Sequence, residues 1–203
     1  MDEIVKAALA KWPNVPHCFG WLALDARGNW RMRDERAQAL HLPGDRIDNS
    51  ALVAFINRNY QHDEQGCWFF QNGPQRVYVT LETTPFVART SPDHGLILHS
   101  GSALNKVEHV YMTSVGQIIF QTGTTIAQLD DRDLASLIQH LQIDGVPASD
   151  EAVLTWLADP TDPPQAMYMV FGPAIPLPLK VQATETADLM RTLGYRQQPH
   201  PAA

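Results

Sequence analysis

The chain is expected to be an α+β protein built from two sequential units, residues 1–104 and 105–203, each a mainly antiparallel sheet with a helix packed on it. Three observations carry this expectation. Segments with apolar residues at three- and four-residue steps are interleaved with segments that alternate at period two, and the alternating segments pair around glycine turns. With 44% hydrophobic and 18% charged residues, the composition is that of a globular chain with a core to bury. The order of elements also restarts near Val110, which leaves internal duplication as one reading of the chain.

Ile4, Val5, Ala8, Leu9 and Trp12 recur at helical spacing and Pro13 ends the pattern, so the first element is read as a helix lying on the core. Residues 17–24 and 29–33 read as strands on either side of Asp25-Ala26-Arg27-Gly28, a turn in which glycine accommodates positive φ. Asp34 is placed to cap a short helix that stops at Leu42-Pro43-Gly44. Asn49 or Ser50 caps a stronger helix, with Leu52, Phe55, Ile56 and Tyr60 on one face. Residues 67–71 and 76–82 follow as strands joined through Asn72-Gly73-Pro74. Val77, Val79 and Leu81 face the core, and Arg76, Tyr78, Thr80 and Glu82 face away.

A further hairpin is expected from 86–89 and 96–99 around residues 91–95. Residues 110–113, a Gly116 turn and 117–121 then mirror the hairpin about Gly28, and a helix carrying Leu134, Leu137, Ile138 and Leu141 follows. Ser149 opens another helix through Trp156, closed by Asp159-Pro160. Residues 167–171, Gly172-Pro173 and 177–181 repeat the order strand, Gly-Pro, strand. A last helix over 184–193 is capped by Gly194, and the final Gln-Gln-Pro-His-Pro-Ala-Ala is expected to be mobile. Trp12, Trp21, Trp30, Trp68 and Trp156 are read as packing residues, with Trp30 and Trp68 anchoring the first core.

A formal charge of −7 argues against a nucleic-acid backbone as the main partner, since phosphate contacts draw on clustered Lys and Arg. The first residues lack the basic start, apolar run and cleavage site of a signal peptide, so a cytoplasmic location is expected. No apolar run reaches the ~20 residues that span a bilayer, and no membrane partner is expected. Cys18 and Cys67 are then expected to be free thiols.

Gly28-x-Trp30, Leu52-Val53-x-x-Ile56, Asp63-x-x-Gly66-x-Trp68, Val77-x-Val79 and Thr84-Pro85-Phe86-Val87-Ala88 together resemble a bacterial family known only as a domain of unknown function. The resemblance covers mainly residues 20–120, and the segment from FINRNY to GCWFFQNGPQRVYV is similar to a narrower group of uncharacterised proteobacterial proteins. It implies two related α+β units, each with a curved sheet and a helix, and a signalling or ligand-sensing role. No catalytic residues come with it. The chain departs from the family pattern by inserting residues 33–42 before its first strong helix and by a proline-rich final strand.

Neither a phosphate loop, a dinucleotide fingerprint, a nucleophile elbow nor a zinc-site spacing is present, so no cofactor and no metal are expected. Asn57, Arg58, His62 and Arg76 are the candidate ligand-binding residues. A helix end beside a Gly-Pro hairpin offers donors near aromatic rings, and arginine grips a carboxylate bidentately. This points to a binding or regulatory module for a small anionic molecule or a peptide, more readily than to an enzyme. Two alternatives stand beside it: a thiol-dependent hydrolase or transferase using Cys67 with His62, and a structural interaction subunit. Arg27, Arg31, Arg33 and Arg36 form a local basic cluster in which alternation aims Arg31 and Arg33 from one strand face. Asp25, Asp34 and Glu35 largely neutralise it, which favours a solvated, ion-paired face over an anion site.

Overall fold

A computed structural model describes residues 1–93, 95–158 and 165–201. The expected stop at Asp159-Pro160, His94 within the expected turn and the last two alanines lie outside the described residues. The protein is α+β and divides into two compact units, Met1–Pro85 with the segment that begins at Gly194, and Phe86–Leu193. The division thus falls at Pro85/Phe86 and not near residue 104. The reason is a strand pairing: residues 86–88 run parallel to residues 127–129, which enrols the 86–98 hairpin in the second sheet.

Unit 1 contains α1 (Glu3–Lys11), β1 (Cys18–Leu24), β2 (Trp30–Met32), α2 (Glu35–Ala39), β3 (Asp45–Arg46), α3 (Ser50–Arg58), β4 (Tyr60–His62), β5 (Trp68–Asn72) and β6 (Gln75–Leu81). Its sheet has the order β3-β2-β1-β6-β5-β4, antiparallel except for β1 beside β6. The caps read from sequence are formed: the Asp34 carboxylate accepts from the Ala37 N–H at 2.7 Å and the Asn49 side chain from the Leu52 N–H at 3.0 Å. The α3 helix ends at Arg58, so Tyr60 is the first residue of a strand and not the last of the helix. Its phenol donates to the Pro85 carbonyl at 3.0 Å.

Strand pairing sorts the side chains of this sheet onto two faces. Leu22, Leu24, Trp30, Phe70, Val77, Val79 and Leu81 share the face that α3 covers, where Phe55 meets Phe70 edge-on at 5.3 Å. Trp30 and Trp68 are buried there as expected. Ala23, Arg31, Thr80, Tyr78 and Phe69 occupy the opposite face. Trp12 and Trp21 are exposed, as is Ile4, so α1 contributes only Val5 to the buried core.

Unit 2 contains β7 (Phe86–Ser91), β8 (Gly95–Leu98), β9 (His109–Thr113), β10 (Ile118–Thr122), β11 (Thr125–Leu129), α4 (Leu134–Ile138), β12 (Leu141–Ile143), β13 (Val146–Pro147), α5 (Asp150–Ala158), β14 (Met167–Phe171), β15 (Ile175–Thr184) and α6 (Thr186–Leu193). Its sheet order is β13-β12-β14-β15-β9-β10-β11-β7-β8. The run β11-β10-β9-β15-β14-β12 repeats the unit 1 succession strand for strand, including a parallel pair, β9 beside β15, between its two hairpins. Unit 2 adds β7–β8 at one edge and β13 at the other, while unit 1 carries α2 where β10 and β11 are joined by a two-residue turn. The unit 2 core gathers Leu96, Val110, Ile118, Phe120, Leu137, Trp156, Met167, Met169 and Val181.

Candidate functional site

The face of the unit 1 sheet away from α3 carries an open groove of about 800 Å³. Its floor comes from Ala23, with Arg31 paired on one side and Thr80 on the other. A methyl group between two longer side chains keeps that floor low. One wall comes from α2 and the loop after it, through Gln38, His41, Leu42 and Pro43, and another from residues 197–201. Gly20 lets the first wall approach: at φ +81°, a side chain there would meet the Gln38 amide.

Two arginines line the groove and have different electrostatic fates. Arg31 is neutralised, with its Nε and Nη2 both 2.8 Å from Asp25 Oδ2. Burial raises the affinity of Asp25 for a proton, but hydrogen bonds from Asn29, Arg31 and Arg27 outweigh it and hold the carboxyl below its ordinary range. Arg33 stands one row further along the same face, roughly 7 Å away. It donates through Nε to the Leu42 carbonyl at 3.1 Å and through Nη2 to the Ala37 carbonyl at 3.5 Å. Among the described residues no carboxylate pairs with it. Thr80, His41, Gln198 and His200 also line the groove with side chains that make no hydrogen bond among the described residues, and Phe19, Leu42, Pro43 and Pro199 supply apolar surface.

The wall formed by residues 197–201 is bolted at its base. Arg196 N–H donates to the Gly66 carbonyl at 3.0 Å, Leu81 N–H to the Gln197 carbonyl at 2.9 Å, and Gln197 Nε2 to the Thr83 carbonyl at 2.8 Å. Gly66 is required here: its φ is +76°, and any side chain would collide with the Gly194 carbonyl. Tyr195 is buried, which pushes its phenol up to about 12. The segment read from sequence as mobile is thus anchored at its start, because the backbone of residues 196 and 197 completes hydrogen bonds left open at the end of β6 and before β5, and Pro199 beyond them is buried.

None of Asn57, Arg58, His62 and Arg76 lines this groove, and the fold does not bring them together. Asn57 Oδ1 accepts from the Trp30 indole at 2.8 Å. Arg58 pairs with Asp2 at the surface. His62 lies opposite Trp68, which puts it on the α3 side of the sheet, with the rings 5.0 Å apart. Arg76 lies opposite Gln71 on the other side, its guanidinium 4.6 Å from the Phe69 ring. A one-residue difference in strand parity therefore separates His62 from Arg76.

Cys67 and His62 are separated in the same way. Both cysteines are free. Cys67 is buried with Phe69, Tyr78 and Phe19, while His62 packs on Trp68 and its Nδ1 lies 2.9 Å from the Asp63 carbonyl. Burial, reinforced by the nearby Asp63 carboxylate, pushes the Cys67 thiol up, which disfavours the thiolate a nucleophile needs. Asp63 itself serves the turn, accepting from the Gln65 and Cys67 N–H groups and from the Tyr78 hydroxyl.

Of the groove residues, Arg31 and Arg33 were legible in the sequence as one face of a basic cluster. Ala23, Gln38, His41 and residues 197–201 carried no such signal, although the insertion at 33–42 that supplies α2 was visible as a departure from the family pattern.

A family model described as "Protein of unknown function (DUF2946)" matches residues 1–200, and the chain belongs to that family. The expected resemblance to a domain of unknown function is thus borne out, over more of the chain than residues 20–120. A search of curated proteins finds no match. Among solved structures, a DUF1285 family protein from Silicibacter pomeroyi DSS-3 is similar at 13% identity and a TM-score of 0.49, covering 94% of this chain and 100% of that one.

Proposed function

We propose that the chain is a binding module whose first unit holds a small anionic ligand, or the acidic group of a peptide, in the groove of the β1–β2–β6 face, with Arg33 as its anchor. The observation that carries this reading is the contrast between the two arginines on that face. Asp25 neutralises Arg31, whereas Arg33 is oriented by two backbone carbonyls and left with an unmatched positive charge beside an open cleft. A half-buried guanidinium already held in place loses little freedom when a carboxylate binds to it, and it offers two parallel N–H donors. A volume of about 800 Å³ lies within the range of small-molecule sites. The burial of Cys67 and its separation from His62 weigh against the thiol-enzyme reading.

Thermal-shift screening of small carboxylates and acidic peptides tests the reading. A ligand at about one hundred times its Kd adds ~2.7 kcal/mol to the folded state, which for a chain of this size raises Tm by roughly 5–10 °C. Ligands that stabilise the wild type should lose that effect in Arg33→Gln and retain it in Arg58→Ala and Arg76→Ala. Equal stabilisation of wild type and Arg33→Gln by every ligand overturns the assignment.

A further inference from the structure

The groove has more apolar surface than a bare anion uses. Phe19, Leu42, Pro43 and Pro199 line it beside Arg33, and Phe19 is fixed by stacking on Tyr78 at 4.5 Å with the rings 5° from parallel. Inorganic phosphate or sulfate fills only a small part of a cleft of about 800 Å³ and leaves that surface wet. The wall at residues 197–201 has two parts. Residues 195–197 are held by the buried Tyr195 and by the hydrogen bonds to Gly66, Leu81 and Thr83. Beyond them Pro199 is buried, whereas Gln198 and His200 on either side of it are exposed, line the groove, and make no hydrogen bond among the described residues. A segment bolted at one end, with free donors and acceptors turned toward a cleft, is suited to fold onto whatever enters.

Resting on the groove reading above, we infer that the ligand is an organic anion with an apolar body, and that residues 198–201 close over that body while Arg33 holds the charge. The charge meets Arg33, which no carboxylate pairs among the described residues, and the body meets Phe19, Leu42 and Pro199. The amide of Gln198 and the ring of His200 are then within the closing segment, free to bond the ligand's polar atoms. Because residues 195–197 are anchored and Pro199 is already buried without the ligand, closure asks only for an adjustment of residues 198–201 around it. This keeps the entropic cost of closure low.

The probe is 1-anilinonaphthalene-8-sulfonate, a fluorescent sulfonate on an apolar aromatic body, titrated into the folded full-length chain with sodium sulfate as competitor. Saturable binding is expected, with no displacement by sulfate at equal concentration. A chain ending at Gln197, shown by amide exchange at Leu81 to keep the Gln197 anchor, should bind the dye at least tenfold more weakly. Full-length Pro199→Gly, which keeps the segment but removes its ring from the lining, should also weaken binding. In amide exchange, Gln198 and His200 should slow when the dye is bound. If the shortened chain and Pro199→Gly both bind like wild type while Arg33→Gln does not, the closing segment is refuted and the anion site stands. If Arg33→Gln binds like wild type, the anion site itself falls. Displacement by equimolar sulfate, or absence of saturable dye binding, refutes the apolar body.

Discussion

The turn joining β1 to β2 and the turn joining β9 to β10 are closed by the same hydrogen bonds. Asp25 N–H donates to the Asn29 carbonyl and Gly28 N–H to the Asp25 carbonyl, both at 3.0 Å; Thr113 N–H donates to Gln117 at 2.9 Å and Gly116 N–H to Thr113 at 2.8 Å. In both turns a side-chain oxygen of the first residue also accepts from the N–H four residues on. Registers extend the correspondence, with Leu22 opposite Val79 in one unit and Val110 opposite Val181 in the other. From this common frame the units diverge on one face. Ala23, Arg31 and Thr80 of unit 1 stand where unit 2 has Tyr111, Ile119 and Gln182. Unit 2 fills the position with a phenol bonded to Gln121 at 3.0 Å. Unit 1 leaves it low, brings two cations to it, and builds walls around it from α2 and residues 197–201. The same strand order thus carries a phenol at this position in one unit and a methyl group under an open groove in the other.

Substitutions can break this comparison at several points. The largest effect is expected at the cores, where Trp30 and Ile118 occupy corresponding buried positions. Trp30→Ala should cost about 3–5 kcal/mol and Ile118→Ala about 2–5 kcal/mol, read as a lowered urea midpoint. A loss under ~1 kcal/mol for Trp30→Ala, which also strips Asn57 of its indole donor, would show that this core is looser than its aromatic contacts imply.

Gly66→Ala comes next, since it combines a strained positive φ with a collision against Gly194. A cost of about 1–3 kcal/mol is expected, together with faster amide exchange at Leu81, whose N–H is bonded to the Gln197 carbonyl. Gly116, at φ +80° in a turn of unit 2 with open space around it, carries the strain without the collision. Gly116→Ala should therefore cost less, and equal costs would argue that nothing docks at Gly66.

Acid sensitivity separates the units differently. In unit 2 the buried Asp130 is held by Arg132, whose hydrogen bonds outweigh burial and lower its carboxyl from 3.8 to about 2. Its folded-state affinity for a proton is thus below that of the unfolded chain. The stability it contributes is complete above pH ~4 and is lost as the pH falls toward 2. Between pH 5 and pH 2.5 the Tm of wild type should fall more steeply than that of Asp130→Asn. Parallel slopes would show that the ion pair adds nothing. The smallest change is expected for Arg33→Gln, which should alter stability by less than ~0.5 kcal/mol, as befits a half-exposed group bonded only to carbonyls.

Much of the fold was readable in the sequence because it rests on local chemistry. Asp34 and Asn49 announced their helices by cap geometry, and alternation placed Val79 and Leu81 on the buried α3 face of β6, although Val77 is only half-buried and Tyr78, expected to face away from the core, is buried beside Phe69 and Cys67. Tyr60 was misread because its apolar ring continues the spacing of Leu52, Phe55 and Ile56 after the helix has ended at Arg58. The candidate pocket failed for a non-local reason. His62 and Arg76 are close in sequence order, but which face each occupies depends on pairings with Trp68 and Gln71. The groove was hidden for a related reason: its walls come from residues 38–43 and 197–201, and the contribution of Ala23 is the absence of a side chain.

Ala23→Tyr imports the unit 2 residue into the floor of the unit 1 groove and should close it to an anion. The measurement is amide and arginine Nε–H chemical-shift mapping of 15N-labelled wild type and Ala23→Tyr on addition of the aromatic sulfonate. Perturbations are expected in wild type centred on Ala23, Thr80 and the Arg33 Nε–H, and are expected to be absent from a folded Ala23→Tyr. Perturbations centred instead on Tyr111 and Gln182, or unchanged by the substitution, would contradict an anion site in the groove.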